Sequence, residues 1–169
     1  MPRKTLIAAS ALALIALSSC GNSGGPASYI GAFGNEVDYI QWQQSSSGQL
    51  HGTVTADRLS GTAPALTLLV STTPFTGRVN GNSLSLKFRR PFDLNAHVEG
   101  WIRGSALTLD IAQSDGLIQS ANFSAGNLEA FRKIITRLRR QIQNANTRAA
   151  QAQARHRSGR RRGRAIGRR

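Results

Sequence analysis

Cys20 is the residue with the clearest chemistry in this sequence, because it is the only thiol among 169 residues. It follows a basic start at Arg3 and Lys4, a 12-residue apolar run from Leu6 to Leu17, and two serines. A basic start, a short apolar stretch and small residues before the cut are the pattern of a secretory signal. The run is shorter than the roughly 20 apolar residues that a membrane-spanning helix needs. An ordinary cleaved signal would leave Cys20 as an odd thiol in an oxidising compartment.

The segment Leu17-Ser18-Ser19-Cys20 resembles the lipobox of bacterial lipoproteins. The resemblance implies cleavage between Ser19 and Cys20 and attachment of acyl chains such as palmitate at Cys20. A single acyl chain holds a protein to a membrane only marginally, whereas two or more anchor it stably. We therefore expect a signal peptide over residues 1–19 and a protein anchored by lipid to the extracytoplasmic face of the cell membrane.

No other combination of residues predicts catalysis or a metal site. The histidines lie far apart and form no His-x-x-x-His pair: His51, His97 and His156. Two carboxylates at a suitable distance could hydrolyse a glycosidic bond, but the spacing of the candidates does not favour this: Asp38, Asp93, Glu99 and Asp110. Exposed strand carboxylates are the commoner explanation. The sequence also lacks a serine elbow, a P-loop and a dinucleotide fingerprint, so we expect no enzyme and no cofactor.

The net charge of +14 is concentrated at one end of the chain. Residues 132–169 contain 14 Lys or Arg and no Asp or Glu, whereas residues 1–131 contain 8 basic and 8 acidic residues. A near-neutral body with a basic appendage points to an anionic partner for the appendage. Eight arginines lie in the last 15 residues and are the candidate anion-binding residues: Arg155, Arg157, Arg160, Arg161, Arg162, Arg164, Arg168 and Arg169.

Three interpretations of this arginine-rich tail stay open. The first is binding to anionic lipid or to a wall phosphate polymer, since arginine forms bidentate contacts with phosphate. The second is nonspecific nucleic-acid binding, which the secretory signal and the lack of interleaved aromatic residues disfavour. The third is that a GC-rich coding region has been read past its normal end, in which case the tail has no role. We expect residues 158–169 to be disordered in isolation, because Gly159, Gly163 and Gly167 disfavour helix.

Residues 20–28 form a Gly/Ser-rich tether, and residues 29–125 carry the alternation of apolar and polar residues typical of half-buried strands. Two 14-residue units align at an offset of 23, Phe75–Phe88 with Val98–Ile111. Each unit is predicted to form a β-hairpin, with turns at Asn80-Gly81 and Arg103-Gly104. About eight or nine short antiparallel strands follow from this pattern. The predicted fold class is mainly β, an up-and-down barrel or a two-layer sheet.

The alternation predicts one inward face shared by the strands, which includes Leu50, Val54, Ala56, Leu66, Leu68 and Val70. Gly52, Gly77 and Gly100 fall on the same face. Inward glycines allow sharp coiling or the close approach of another group. We favour coiling with a bulky side chain such as Trp42 filling the space, and we keep an interior ligand cavity as the alternative.

A helix is predicted over residues 127–157, because large and small apolar residues recur every three or four positions from Leu128 to Ala152. Asn127 suits the N-cap position and Glu129 suits the positive end of the helix dipole. The stretch from Leu128 to Ile142 is apolar enough to dock on the β-domain. Arg132, Arg139 and Arg148 would repel an identical helix, so we expect a monomer.

Over residues 1–143 the chain resembles a family of small lipoproteins of actinobacteria and related Gram-positive bacteria. The residues that carry the resemblance are the lipobox, Ile40-Gln41-Trp42, the two hairpins, Ser114-Asp115-Gly116 and the closing helix. The resemblance implies location and architecture but no reaction, and the arginine-rich tail departs from the family pattern.

These observations predict a lipid-anchored envelope protein that acts as a binding or structural module. The alternative is a lipocalin-like carrier that holds a small apolar ligand inside the barrel. A carrier needs an interior cavity of at least ~300 Å³ with a mouth, whereas a structural module needs a filled core.

Overall fold

A computed structural model of the protein describes residues 27–89, 95–113 and 115–166, with backbone alone at residues 89, 95 and 156–166. It contains eight strands followed by one helix. The elements are β1 Ala27–Phe33, β2 Glu36–Gln44, β3 Gln49–Ser60, β4 Thr67–Asn80, β5 Ser83–Arg89, β6 Asn95–Arg103, β7 Ala106–Ala112, β8 Ile118–Ala125 and α1 Leu128–Ile166. The predicted mainly-β class with a C-terminal helix is confirmed.

The strands form a closed barrel in sequence order. Each strand pairs antiparallel with the next, and β8 returns to β1 through the pairs Tyr29 with Ala125 and Gly31 with Phe123. Of the two predicted architectures, the protein therefore adopts the up-and-down barrel. Closure leaves no free edge at β1 or β8, and an exposed sheet edge would invite pairing with other chains.

The turns of the two repeated hairpins lie one residue later than predicted. Asn80 pairs with Ser83 and Arg103 with Ala106, so Gly81 and Gly104 are the first loop residues. Both glycines have φ of 59°, a left-handed conformation that suits two-residue hairpin loops. Gly116, between β7 and β8, has φ of 82°.

The barrel interior is built from the predicted inward face. Its buried residues are contributed by all eight strands and form one cluster: Tyr29, Ile40, Trp42, Leu50, Phe75, Leu84, Leu86, Val98, Leu107, Leu109, Ala121 and Phe123. The partly buried Val54, Val79 and Ile102 pack against it. Period-two alternation therefore identified most of the core correctly.

At the inward glycines, the backbone and a large side chain of a neighbouring strand leave no room for a Cβ. The nearest atom in each case is a backbone carbonyl oxygen, of Gln41 for Gly52, Ser85 for Gly77 and Thr108 for Gly100. A Cβ at Gly52 would lie 2.5 Å from the Phe75 ring and 2.8 Å from the Trp42 Cβ. Cβ atoms at Gly77 and Gly100 would each lie 2.8 Å from a leucine methyl, of Leu86 and Leu109 respectively. These glycines allow close packing across the coiled sheet, as the favoured interpretation predicted.

The inward assignment was wrong for the first half of β4. Leu68 packs on the outside of the barrel with Tyr39, and Val70 is 57% exposed. The inward residues of β4 are odd-numbered, as Phe75 and Val79 show, so the even-numbered Leu68 and Val70 face outward. Leu66 precedes β4.

The two ends of the barrel differ. At the N-terminal end, β1 begins at Ala27 and the turn between β2 and β3 lies close by, since Ala27 pairs with Trp42. At the hairpin end, β3 and β4 extend as a long hairpin whose tip is residues 61–66, because Ser60 still pairs with Thr67. β3 stays paired with β2 as far as Arg58, whereas in the described part of the chain β4 pairs with β5 only over residues 75–80, so residues 67–74 of β4 extend past the end of β5.

Helix α1 begins at the N-terminal end and runs towards the hairpin end. The Asn127 side chain accepts a hydrogen bond of 2.9 Å from the Ala130 N–H, which confirms the predicted N-cap. Phe131 and Ile135 are buried against the outer wall, and the Phe131 ring stacks on Tyr39 at a centroid distance of 5.4 Å. Leu128 stays 41% exposed, so the docking segment is shorter than predicted.

Asn146 fastens α1 to the tip of the hairpin. Its Oδ1 accepts a bond of 3.0 Å from the Leu66 N–H, and its Nδ2 donates one of 2.8 Å to the Leu66 carbonyl. The amide side chain thus satisfies both backbone groups of one residue, as a neighbouring strand would.

The element boundaries differ from the predicted ones at both ends of the described chain. Strand β1 starts at Ala27, inside the expected tether, and α1 continues past residue 157 to Ile166. Gly159 and Gly163 therefore lie within α1. A helical glycine costs only about 1 kcal/mol relative to alanine, and the surrounding arginines are good helix formers. No helix among the described residues is long and apolar enough to cross a membrane.

The substitution Gly52→Ala tests the packing role of the inward glycines. We expect it to lower the free energy of unfolding by about 1–3 kcal/mol, because the new methyl group meets the Gln41 carbonyl oxygen as well as Phe75 and Trp42. Chemical denaturation of the purified chain measures this change. Gly81→Asn is the control, since nothing lies within 4 Å of a Cβ there and asparagine tolerates positive φ. Equal losses in both variants would refute the packing explanation.

Candidate functional site

The middle of the barrel is packed solid. Leu50, Leu86 and Leu107 have no exposed surface, and Leu84 is 1% exposed. A hollow wide enough for water would leave exposed area on the side chains around it. Trp42, 3% exposed, also stacks on Tyr29 at a centroid distance of 5.1 Å within the same interior cluster.

The interior becomes acidic towards the hairpin end. Side chains alternate along a strand, so the even-numbered residues of β2 share one face. Ile40 and Trp42 lie in the interior cluster, and Glu36 and Asp38 therefore point inward as well. Asp38 pairs with Gly31 and Ala56 on the neighbouring strands, two residues with little or no side chain. The carboxylate is 6% exposed, so it belongs to the interior.

Burial raises the pKa of Asp38 to about 7, since desolvation disfavours the charged form. Glu36 adds to the rise and Arg58 opposes it. The Arg58 guanidinium itself pairs with Glu36, with Nε 2.8 Å from Oε2. Among the described residues no hydrogen-bond partner meets the Asp38 Oδ1. Asp38 is therefore a carboxyl group that gains and loses its proton near neutral pH.

A second buried carboxylate, Asp57, lies on the outer wall beneath α1. It is 3% exposed and its Oδ1 has no hydrogen-bond partner in the described part of the chain. Burial raises its pKa, and the charge of Arg139 on α1 opposes that rise. Asp38 and Asp57 face opposite sides of the sheet, because odd and even positions alternate, so they do not form a pair.

The other candidate carboxylates do not converge. Glu99 and Asp110 are cross-strand partners on the outer wall, where Ser85 donates to Glu99 and Ser120 donates to Asp110. Asp93 lies outside the described residues. His51 and His97 are exposed on the outer wall. No group of three or more His, Cys, Asp or Glu that could hold a metal occurs within residues 27–89, 95–113 and 115–166.

The outward face of α1 is strongly basic. Arg132, Lys133, Arg137 and Arg140 line one shallow surface with Glu129, Thr136 and other polar residues. Glu129 is the only acidic residue of the helix, and its Oε1 lies 2.8 Å from the Lys133 Nζ. Further along, Arg148 and Arg155 line a second shallow surface with Gln151 and Ala152. Such a face can attract anions and form charge-assisted hydrogen bonds with phosphate oxygens.

Most of the predicted site residues lie where little or nothing is described. Ser19 and Cys20 precede the described residues. Of the eight candidate arginines, Arg155 is described with its side chain, five fall in the backbone-only part of α1, and Arg168 and Arg169 lie outside. The structure places Arg155 on the same helix as Arg137 and Arg140. The basic residues of α1 therefore begin beside the barrel and continue to the predicted tail.

Sequence reasoning missed the burial of Asp38, which it took for an exposed strand carboxylate. A signal was present, because Asp38 shares the alternation of Ile40 and Trp42. The cationic cluster around Arg137 and Arg140 was also treated only as part of the docked helix. Its helical spacing opposite Phe131 and Ile135 indicates a solvent-facing position.

No family model, curated protein or solved structure matches this chain.

The substitution Asp38→Asn tests the raised pKa. The contribution of Asp38 to the stability of the unchanged chain should fall as the pH rises from about 4 towards 7, because the unfolded chain ionises Asp38 at lower pH than the folded chain does. The variant lacks this loss. It should therefore be similar in stability at pH 4 and more stable at pH 8, by up to about 4 kcal/mol.

Urea denaturation at pH 4, 6 and 8 measures the difference between the two chains. Asp110→Asn, on the outer wall, controls for the change in net charge. A constant offset between Asp38→Asn and the unchanged chain at all three pH values would contradict the assignment.

Proposed function

We propose that this protein is a lipid-anchored extracytoplasmic protein of the bacterial cell envelope, held through Cys20, that works as a binding module. In this proposal the barrel is a rigid support and the outward face of α1 binds anionic groups of the envelope. The observation that carries it is the cluster of Lys133, Arg137 and Arg140 on a helix with a single acidic residue.

The packing of α1 supports these separate roles, with the barrel as a support and the helix as the anion-binding surface. Phe131 and Ile135 are buried against the barrel wall, which leaves the opposite side of the helix to solvent. Cations displayed on a fixed helix keep their spacing, so less side-chain and backbone freedom is lost when a partner binds. The filled interior gives that helix a stable base.

The filled interior also bears on the carrier alternative. Leu50, Leu86 and Leu107 leave no room for a ligand in the middle of the barrel. An apolar ligand would have to displace these side chains, and towards the hairpin end the interior contains the ionisable Asp38. We therefore favour the binding module over the carrier.

The variant Cys20→Ala tests the lipid anchor. The unchanged chain expressed in a Gram-positive host should gain the mass of its acyl chains and enter the detergent phase on Triton X-114 partition. Cys20→Ala should do neither, because the sulfur that receives the lipid is gone. Ser19→Ala, which keeps a small residue before the cut, should behave as the unchanged chain. Acylation of Cys20→Ala would refute the anchor.

A salt titration tests anion binding by α1. We expect binding to anionic probes, either phosphatidylglycerol vesicles or long-chain polyphosphate, to weaken as salt rises, because each contact releases condensed counterions. The triple variant Lys133→Gln, Arg137→Gln, Arg140→Gln and a chain lacking residues 155–169 should each bind more weakly. Retention of neither probe by the unchanged chain at low salt would refute the proposed function. Equal binding with and without residues 155–169 would remove the tail from it.

A further inference from the structure

We propose that the cations of α1 bind a flexible polymer that bears phosphate groups, on the side of the barrel away from the membrane. Lipid headgroups are not the partner in this proposal. This inference rests on the proposed function and names its partner. Three properties of the chain support it: the direction of α1, the position of the predicted anchor, and the residues of the distal helix.

The direction of α1 follows from contacts at its two attachment points. At the N-terminal end, the Ser28 hydroxyl donates to the Gly126 carbonyl at 2.6 Å and the Gly126 N–H donates to the Ser28 carbonyl at 3.1 Å. At the hairpin end, Asn146 bonds to Leu66. The helix then continues to Ile166, and 20 helical residues extend about 30 Å. The distal part of α1 therefore projects beyond the tip of the hairpin.

The predicted anchor lies at the other end. The chain from Cys20 to Ala27, where β1 begins, spans at most about 25 Å when fully extended. Strand β3 alone, from the N-terminal end to the base of the hairpin tip, covers about 40 Å along its length. Since barrel strands tilt by about 35–45°, this length corresponds to a barrel height of about 30 Å. The distal cations of α1, beyond the hairpin tip, are therefore farther from Ala27 than the segment from Cys20 to Ala27 can reach.

The distal part of α1 also lacks what a membrane-surface helix needs. Such a helix buries a stripe of large apolar residues among the lipid chains. The large apolar residues of α1 other than Ile166 lie between Leu128 and Ile142, and two of them, Phe131 and Ile135, are buried against the barrel. Between Thr147 and Ala165 the only apolar side chains in the sequence are alanines. This segment can attract an anionic surface but has nothing to insert into it.

A phosphate polymer suits this segment better. Arginine recurs from Arg148 to Arg164 without an intervening acid, and each guanidinium can bind a phosphate bidentately. A flexible polyanion can bend to reach cations on several sides of a helix, whereas a flat bilayer meets one side only. Release of the counterions condensed on such a chain adds to its affinity.

The test compares two anionic probes on the mature chain with Cys20→Ser, which removes acylation as a route to vesicles. The probes are long-chain polyphosphate and vesicles of equal parts phosphatidylglycerol and phosphatidylcholine, at matched accessible phosphate and salt. We expect polyphosphate to bind at least roughly tenfold more tightly per phosphate, since only it can wrap the projecting helix. Vesicle binding that is equal or tighter overturns this inference while the proposed function stands. Binding of neither probe overturns both.

A pair of charge-matched variants locates the binding. Arg148→Gln with Arg155→Gln removes two cations from the projecting helix, and glutamine has a helix propensity similar to that of arginine. This double variant should weaken polyphosphate binding and reduce the slope of log K against log salt by about 1–2 units. Arg78→Gln with Arg103→Gln removes two exposed cations at the N-terminal end and should change neither quantity. Equal effects of the two double variants would overturn the location.

Discussion

Closure of the barrel by the ladder between β1 and β8 is the constraint on which the remaining structure depends. It joins the first strand to the last through residue pairs such as Tyr29 with Ala125, and it supplies the wall against which the interior packs. Closure at this seam requires a small residue, because a Cβ at Gly31 would lie 2.9 Å from a carbon of the Phe123 ring. It also places the start of α1 beside β1, since Gly126 bonds to Ser28.

The same closure accounts for the chemistry of the interior. Large side chains fill the space left by the inward glycines, and water is excluded from the middle of the barrel. Asp38 lies at the edge of this dry volume, between Gly31 and Ala56. Burial there raises its pKa to about 7. Burial is the main cause of the raised pKa of Asp38. Arg58, which forms an ion pair with Glu36, lowers that pKa only in part.

Helix α1 divides into two parts with different physical roles. Phe131 and Ile135 exclude water from the outer wall and, with the Asn146 bonds to the hairpin tip, hold the first part in place. Beyond Asn146 the helix has no large apolar residue until Ile166. Its arginines are therefore the groups through which this part of the helix would bind a partner. The barrel fixes the direction in which that charge is displayed.

Much of the fold was determined by the sequence alone, because alternation in strands and the helical repeat are local properties of the chain. The faces of Leu84 and Leu86 and the N-cap at Asn127 are examples. Only the tertiary structure decided which way Leu68 faces and how deeply Asp38 is buried. The choice between a barrel and a two-layer sheet, and the end from which α1 projects, were decided in the same way. These properties depend on contacts between residues distant in sequence, and a local pattern of residue types does not specify which distant elements meet.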